Sequence, residues 1–202
     1  NNNFNWKEET KLHKIYKISF ADRPDIASTN SSNIIILDNF AYYVDSKSNF
    51  IKLDLNNKNI VFETQLLKNF DSKLTLPTYL IKINDFFYVG FGNGIVIKFD
   101  HNGKHYWKKD FNDLLRTPLL ILNDNIILLF NSNKIISLNS NDGNILWEFI
   151  YELDKPPLSK GGQIFVRHNL IFFLMPNGRI GIIDNLVGEI VDYPFLSELK
   201  QK

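Results

Sequence analysis

The chain has 202 residues, and its 23 lysine and arginine residues nearly balance its 22 aspartate and glutamate residues, which leaves a net charge of +1. Such a balance argues against nucleic acid or an anionic membrane surface as the partner of the whole chain. Hydrophobic residues make up 44% of the sequence, which excludes a disordered chain, and the lack of cysteine excludes disulfides and thiolate metal sites. The first residue is Asn1 and not Met, which fits the removal of a signal peptide or lipid-attachment segment.

Four similar units follow one another along the chain, and repetition of this kind is the first signal to interpret. The units span about residues 33–66, 79–111, 119–151 and 163–196, within one predicted propeller domain or fragment, 1–202. Residues 1–32 precede them and contain Trp6-Lys7, which is similar to the end of a unit at Trp107-Lys108. The N-terminal segment therefore either closes a blade or carries a lone aromatic residue.

The units share one plan, which is clearest in the second and third. A turn leads into an apolar strand, a second turn into a strand that ends in an acid or amide, and a glycine turn into a strand that ends in tryptophan. The two tryptophans are 40 residues apart in the sequence. Phenylalanine takes the tryptophan position in the first unit, and the fourth unit has lost the aromatic residue. The predicted structural repeat positions are Asp54, Phe62, Asp100, Trp107, Asn139, Trp147 and Asp184.

Each unit is predicted to consist of β-strands, because its apolar runs are short, rich in β-branched and aromatic residues, and bounded by Asn, Gly and Asp. No segment shows a sustained helical period. Units of about 40 to 45 residues with several strands are typical of β-propeller blades. The predicted fold class is all-β, a β-propeller of four-stranded antiparallel blades. About four blades fit this chain, as a closed four-bladed ring or as half of a seven- or eight-bladed ring.

The detailed pattern resembles the PQQ-type, or quinoprotein-like, propeller repeat. The segments Phe99–Trp107 and Ser137–Trp147 carry the likeness, with a strand ending in an acid or amide, a glycine turn and a terminal tryptophan. The resemblance covers roughly Ser31 to Phe195. It is specific for architecture and says less about activity, because one fold hosts many functions.

Within that group the chain resembles the BamB family of outer-membrane lipoproteins, which belong to the β-barrel assembly machinery and have eight blades. The Arg23-Pro24 pair resembles the entry to the family's first blade, and Leu114-Leu115-Arg116 resembles its leucine–arginine inter-blade loop. The resemblance implies that Leu114, Leu115 and Arg116 bind the periplasmic repeats of the barrel-assembly subunit, with the two leucines exposed beside Arg116. The alternative is that Arg116 caps or solvates the ring.

The function implied by this resemblance is that of a non-catalytic periplasmic scaffold at the outer membrane. Its partners would be the barrel-assembly subunit and, transiently, unfolded outer-membrane proteins, with no nucleic acid and no cofactor. The sequence contains no transmembrane segment, and the resemblance implies a lipid anchor upstream of Asn1. Two alternatives stay open, a fragment of a PQQ-dependent dehydrogenase and the luminal sensor domain of an unfolded-protein-response kinase.

Three further motifs are better explained by turns than by chemistry. The glycine-rich stretch Gly90–Gly94 is followed by a strand, whereas a phosphate-binding loop needs a helix there. His101 and His105 flank an Asn-Gly turn, and no third metal ligand appears nearby. Lys160-Gly161-Gly162 is predicted to be a loop hinge before a strand.

Overall fold

The computed structural model describes residues 32–67, 77–151, 163–174 and 180–192. Within these ranges the chain forms sixteen β-strands and no helix. The expectations for Trp6-Lys7, Arg23-Pro24 and Lys160-Gly161-Gly162 lie outside the described residues. The described residues therefore include no helix that could span a membrane.

The strands form four separate antiparallel sheets of four strands each, and within each sheet the strands lie side by side in sequence order. Blade 1 contains β1 (Ile35–Leu37), β2 (Phe40–Val44), β3 (Asn49–Asp54) and β4 (Asn59–Gln65). Blade 2 contains β5 (Pro77–Ile83), β6 (Phe86–Phe91), β7 (Ile95–Phe99) and β8 (His105–Asp110). Blade 3 contains β9 (Leu120–Leu122), β10 (Asn125–Leu129), β11 (Lys134–Asn139) and β12 (Ile145–Ile150). Blade 4 contains β13 (Ile164–Arg167), β14 (Leu170–Leu174), β15 (Ile180–Asp184) and β16 (Ile190–Asp192).

The predicted fold class is therefore confirmed, and the described residues make four blades. Each blade is a meander, in which strands that follow one another in the sequence pair antiparallel. The middle strands of blades 2 and 3 are almost wholly buried, as expected for sheets covered on both faces. The outermost strands β8 and β12 instead alternate between exposed and half-buried residues over most of their length.

The turns recur at equivalent positions in the blades, because the residues at those positions take a left-handed backbone conformation. The first residue of the turn between the first and second strands has a φ of 51° to 57° in all four blades, at Asp38, Asn84, Asn123 and His168. Three of these are Asn or Asp, which tolerate this conformation better than other non-glycine residues. The turn before the fourth strand uses glycine in blades 2 to 4 and Lys58 in blade 1.

The hydrophobic core lies between the blades, in three clusters that each join one blade to the next. Blades 1 and 2 meet through aromatic rings, with the Phe50 ring centroid 5.1 Å from that of Phe87 and 4.8 Å from that of Phe99. Aromatic pairs at such separations add to the stabilisation from burial alone. Stacking between blades thus supplies the core that no single sheet has.

Candidate functional site: the blade junctions and the inter-blade loop

Four repeat positions, Asp54, Asp100, Asn139 and Asp184, make the same local contact at the end of the third strand of each blade. In every case the side-chain Oδ1 accepts a hydrogen bond of 2.8 Å from the backbone N–H two residues later. This is an Asx turn, which starts the reversal into the fourth strand. Backbone hydrogen bonds, the strongest from Asn57, hold the pKa of Asp54 below its ordinary value.

The tryptophan position has one register in all four blades. It pairs with the residue two before the Asx-turn residue, as Lys52 with Phe62, Lys98 with Trp107, Ser137 with Trp147, and Ile182 with Asp192. A register shift follows that pair in each blade. Such a bulge twists the strand locally and re-aims its side chains.

The two tryptophans reach across to the following blade. Trp107 Nε1 donates a hydrogen bond of 3.1 Å to the carbonyl oxygen of Ser140, and Trp147 Nε1 donates one of 2.7 Å to that of Asn185. Each indole lies against a turn glycine, and a Cβ added at Gly188 would come within 2.5 Å of Trp147 Cγ. Each indole therefore joins one blade to the turn of the next.

The junction between blades 2 and 3 has two further donors aimed at that turn. Tyr88 Oη donates to the Ser140 carbonyl at 3.1 Å, and Lys98 Nζ donates to the Asn141 carbonyl at 3.1 Å. Lys98 is only 3% exposed, and burial lowers the pKa of its ammonium group, although Asp142 opposes this shift. Three donors from blade 2 thus converge on two successive main-chain carbonyls of blade 3.

The junction between blades 1 and 2 uses the same positions of the blade but makes different contacts. Tyr42, Lys52 and Phe62 occupy the places of Tyr88, Lys98 and Trp107, but none of them hydrogen-bonds to the turn after Asp100 among the described residues. The Lys52 ammonium group lies 4.0 Å from the centre of the Phe40 ring. An open cleft of about 430 Å³ lies here, lined by Leu37, Tyr42, Lys82, Asp85, Phe86, Phe87, Asp100, His101 and Tyr106.

The loop between blades 2 and 3, residues 111–119, is bonded to both blades. The Leu115 N–H donates to the Gly92 carbonyl in blade 2, and the Arg116 N–H donates to the Leu129 carbonyl in blade 3. Leu115 is 8% exposed and belongs to the core cluster between the two blades. The expected exposure of Leu115 is therefore wrong, because its side chain packs inward while the loop crosses the junction. The Leu114 side chain is half-buried.

The Arg116 guanidinium lies at the same junction and makes three hydrogen bonds within the chain. Nη1 donates to Tyr151 Oη at 2.8 Å, and Nη2 donates to the Asn131 carbonyl at 2.8 Å and to Asn133 Oδ1 at 2.9 Å. Asp113, in the same loop, accepts a hydrogen bond from Ser132 Oγ. Partner binding by Leu114, Leu115 and Arg116 stays a prediction, but two of these side chains also hold the loop in place.

The comparisons with known proteins agree with this geometry. A family model described as outer membrane protein assembly factor BamB matches residues 83–198, more than half of the chain. The chain belongs to this family. No curated protein sequence matches the chain.

Solved structures share the fold of this BamB-family chain at low sequence identity. BamB from Moraxella catarrhalis is 18% identical with a TM-score of 0.62, and the match covers 83% of this chain and 51% of that one. The computationally designed Ika8 protein is 12% identical with a TM-score of 0.61, covering 80% of this chain and 48% of that one. Quinohemoprotein alcohol dehydrogenase from Comamonas testosteroni is 13% identical with a TM-score of 0.62, covering 83% of this chain and 35% of that one. The chain spans about half the length of the first two proteins.

The remaining sequence motifs take the positions expected of turns in this BamB-family chain. The stretch Gly90–Gly94 joins β6 to β7, and the Gly94 N–H donates to the Phe91 carbonyl at 2.9 Å. His101 and His105 flank the turn before β8, and the described residues contain no cluster of three His, Asp or Glu side chains that could hold a metal. Sequence reasoning missed Tyr42, Tyr88 and Lys98. Aligning the units would have shown that the first keeps the tyrosine and the lysine but lacks the tryptophan.

Buried tyrosines predict a loss of stability at alkaline pH. Burial raises the pKa of Tyr88 and Tyr151 above the ordinary value of 10.0. The hydrogen bond to Ser140 opposes the shift at Tyr88, and the positive charge and hydrogen bond of Arg116 oppose it at Tyr151. The folded chain therefore holds these protons more tightly, and this contribution is complete below pH 10 and lost as pH rises through the raised pKa. Burial lowers the pKa of Lys98, so the unfolded chain holds this proton more tightly. Lys98 therefore lowers the stability of the folded chain at lower pH, and this loss disappears as pH rises to 10.5.

We expect the urea midpoint of the chain to fall as pH rises above about 10. The Tyr151→Phe variant removes one of the titrating groups, so its midpoint should fall less steeply over the same range. The measurement is urea unfolding at several pH values with Tyr106→Phe as the control, because Tyr106 is 51% exposed. If the urea midpoints of the wild type and Tyr151→Phe fall equally steeply with pH, the titration of Tyr151 does not contribute to the loss of stability.

Proposed function

We propose that this chain is part of a non-catalytic periplasmic scaffold, associated with the outer membrane, that assists the assembly of outer-membrane β-barrel proteins by binding other proteins. The observation that carries the proposal is the match of residues 83–198 to the family described as outer membrane protein assembly factor BamB. The proposal treats residues 1–202 as one propeller domain or fragment. Rigid blades would present loops and strand edges as docking surfaces.

The inter-blade loop is the surface proposed for the barrel-assembly subunit. Its backbone is bonded to blades 2 and 3, so binding would not need to order it first. Leu114 is half-buried and lies outside the three core clusters, and Pro118 is exposed in the same loop. Leu114 can therefore contribute apolar contact area, with Leu115 and Arg116 fixing the loop conformation beneath it.

The edge strands are the surface proposed for unfolded barrel chains. β12 is the outermost strand of blade 3, and its Ile145, Leu146 and Ile150 side chains are about half exposed. An exposed strand edge can accept an extended segment by main-chain hydrogen bonds. β8 carries Lys108, Lys109 and Asp110, and charged side chains of this kind usually discourage such pairing.

A titration against the purified periplasmic repeats of the same organism's barrel-assembly subunit tests the proposal. We expect saturable binding by the full chain, weakened about tenfold or more by Leu114→Asp, because a charge would be buried in an apolar contact. Leu186→Asp is the matched control, since Leu186 is 71% exposed in the turn between β15 and β16 and lies outside the loop. If the folded wild-type chain does not bind, the proposed scaffold function is wrong. If the two variants lose the same amount of binding affinity, the inter-blade loop is not the binding surface.

A second candidate is a piece of an alcohol-oxidising quinoprotein, which the similarity to quinohemoprotein alcohol dehydrogenase favours. Dye reduction with an alcohol, in the presence of added quinone cofactor and calcium, tests this candidate on the same preparation. Activity above that of the cofactor alone would support the enzyme over the scaffold.

A further inference from the structure

Blade 1 is buried on both of its faces, although only one of them meets another described blade. Tyr42 and Phe50 face blade 2 and belong to the core cluster between the two blades. Ala41, Ile51 and Leu53 alternate with these residues along β2 and β3 and so lie on the opposite side, the far face of blade 1. They are only 4%, 5% and 7% exposed, and none of them belongs to the three core clusters of the described residues.

Blade 4, at the other end of the described chain, shows how a face without a neighbouring blade looks. Its strands β14 and β15 alternate between buried residues, which face blade 3, and half-buried residues on the opposite face. Phe172 and Ile182 pair at the centre of that face and are only half-buried, and Phe165 beside them is 53% exposed. A sheet face without a neighbour thus stays partly exposed even at its centre, so the burial of the far face of blade 1 requires a cover.

Residues 1–31 are the part of the chain that leads directly to this blade. The next residue, Ser32, is bonded to blade 1, because its N–H donates to the Val44 carbonyl and its Oγ accepts from the Val44 N–H, both at 2.9 Å. Residues 21–31 alone can extend over about 35 Å, whereas a four-stranded sheet is about 15 Å across. Residues 1–20 can therefore reach every part of the far face.

Each of the other stretches outside the described ranges is joined to a different part of the chain. Residues 68–76 follow Leu67, which is buried in the core cluster between blades 1 and 2 and so lies on the opposite side from the far face. Residues 152–162, 175–179 and 193–202 are joined to strands of blades 3 and 4. Sequence continuity therefore favours residues 1–31 as the cover.

The chemistry of this segment matches the far face. In residues 10–21 the side chains of Tyr16, Ile18 and Phe20 alternate with polar ones, a pattern that predicts a strand with one apolar side. The same stretch contains three lysines and no acidic residue. Glu63 is the one charged side chain that the strands of blade 1 carry on the far face, and it is exposed. The apolar side therefore has an apolar surface to cover, and the lysines have a carboxylate nearby.

We propose that residues 1–31 fold back over the far face of blade 1, with the apolar side of residues 16–20 packed on Ile51 and its neighbours. The segment then closes one end of the row of blades, whereas blade 4 keeps a partly exposed apolar face at the other end. The inference goes beyond the proposed scaffold function and does not depend on it.

The first test uses the full chain, which has no cysteine, so that one introduced cysteine can carry a nitroxide spin label. A label on the Ile36→Cys variant should broaden the NMR signals of residues 10–21, because Ile36 is 63% exposed and pairs with Ala41 on the far face. A label on the Phe165→Cys variant, on the open face of blade 4, should leave these signals sharp. The inference is overturned if the label at Ile36 leaves them sharp, or if both labels broaden them equally.

The second test measures how fast a thiol on the far face reacts with a soluble disulfide reagent. The Ala41→Cys variant should react at least about tenfold more slowly than the Ile182→Cys variant, since only the latter face is open. Adding Ile18→Asp should speed the Ala41→Cys reaction about tenfold, because a charge would be placed against the apolar face. Ser19→Asp, one residue further on the polar side of the pattern, should change the rate less than about twofold.

A third thiol separates loss of the cover from unfolding of the whole chain. Ser137 is fully buried in blade 3, so the Ser137→Cys variant should react at the same rate with and without Ile18→Asp. If Ile18→Asp speeds both thiols equally, it unfolds the chain, and the spin-label result decides. The inference is wrong if the Ala41→Cys variant reacts as fast as the Ile182→Cys variant, or if Ile18→Asp does not change the Ala41→Cys rate.

Discussion

Replacing Trp147 with alanine should lower the free energy of unfolding by about 3 kcal/mol, the low end for loss of a large aromatic side chain. The indole packs against Gly188 and donates a hydrogen bond of 2.7 Å to the Asn185 carbonyl, so its loss opens the junction between blades 3 and 4. Urea unfolding of the full chain measures the effect. Trp147→Phe keeps most of the ring but loses the N–H, and should lose about 1 kcal/mol.

A substitution from the other side of the contact checks the same junction. Gly188 has a φ of +73°, and an added Cβ would lie 2.5 Å from Trp147 Cγ, so Gly188→Ala should also destabilise the chain, by about 1–3 kcal/mol. Leu186→Ala, two residues away and 71% exposed, should change stability by less than about 0.5 kcal/mol. If Trp147→Ala changes stability no more than Leu186→Ala does, the indole is not what joins the blades.

The repeat architecture could be predicted from the sequence because local chemistry encodes it. The Asx-turn residue and the glycine or asparagine with a left-handed backbone each act within a few residues, so their spacing appears directly in the sequence. Asp100, for example, accepts from Asn102 and Lys104, both within its own turn. Alternating apolar residues between such turns then leave little choice except short antiparallel strands.

The details of the candidate site could not be predicted, because they depend on contacts between distant residues. Arg116 bonds to Tyr151, 35 residues away, and nothing in the local sequence distinguishes such an arginine from an exposed one. Leu115 is buried because the loop crosses a junction whose geometry is set by two blades together. The difference between Tyr42 and Tyr88 becomes visible only when the units are aligned, because it accompanies the change from Trp107 to Phe62 on another strand of the blade.

Replacing Arg116 with alanine should lower the free energy of unfolding by about 2–3 kcal/mol. The substitution removes a charged donor from Tyr151 Oη, the Asn131 carbonyl and Asn133 Oδ1, and hydrogen bonds from charged groups are among the stronger ones. Arg116→Lys keeps the charge but cannot reproduce the planar fork, so it should recover only part of the loss. Urea unfolding gives these values before any binding measurement is interpreted.

The stability data decide what a loss of partner binding means. Reduced binding by Arg116→Ala is evidence for a direct contact only if the substitution leaves the stability of the chain unchanged. The double variant with Tyr151→Phe measures how much of any stability loss passes through the Arg116–Tyr151 hydrogen bond. If Arg116 acts through Tyr151, the double variant should lose about 1 kcal/mol less stability than the sum of the losses in the two single variants. Additive losses would contradict the coupling of Arg116 to Tyr151. An Arg116→Ala variant as stable as the wild type would contradict the structural role as a whole, and weaker binding of that variant would then identify Arg116 as an interface residue.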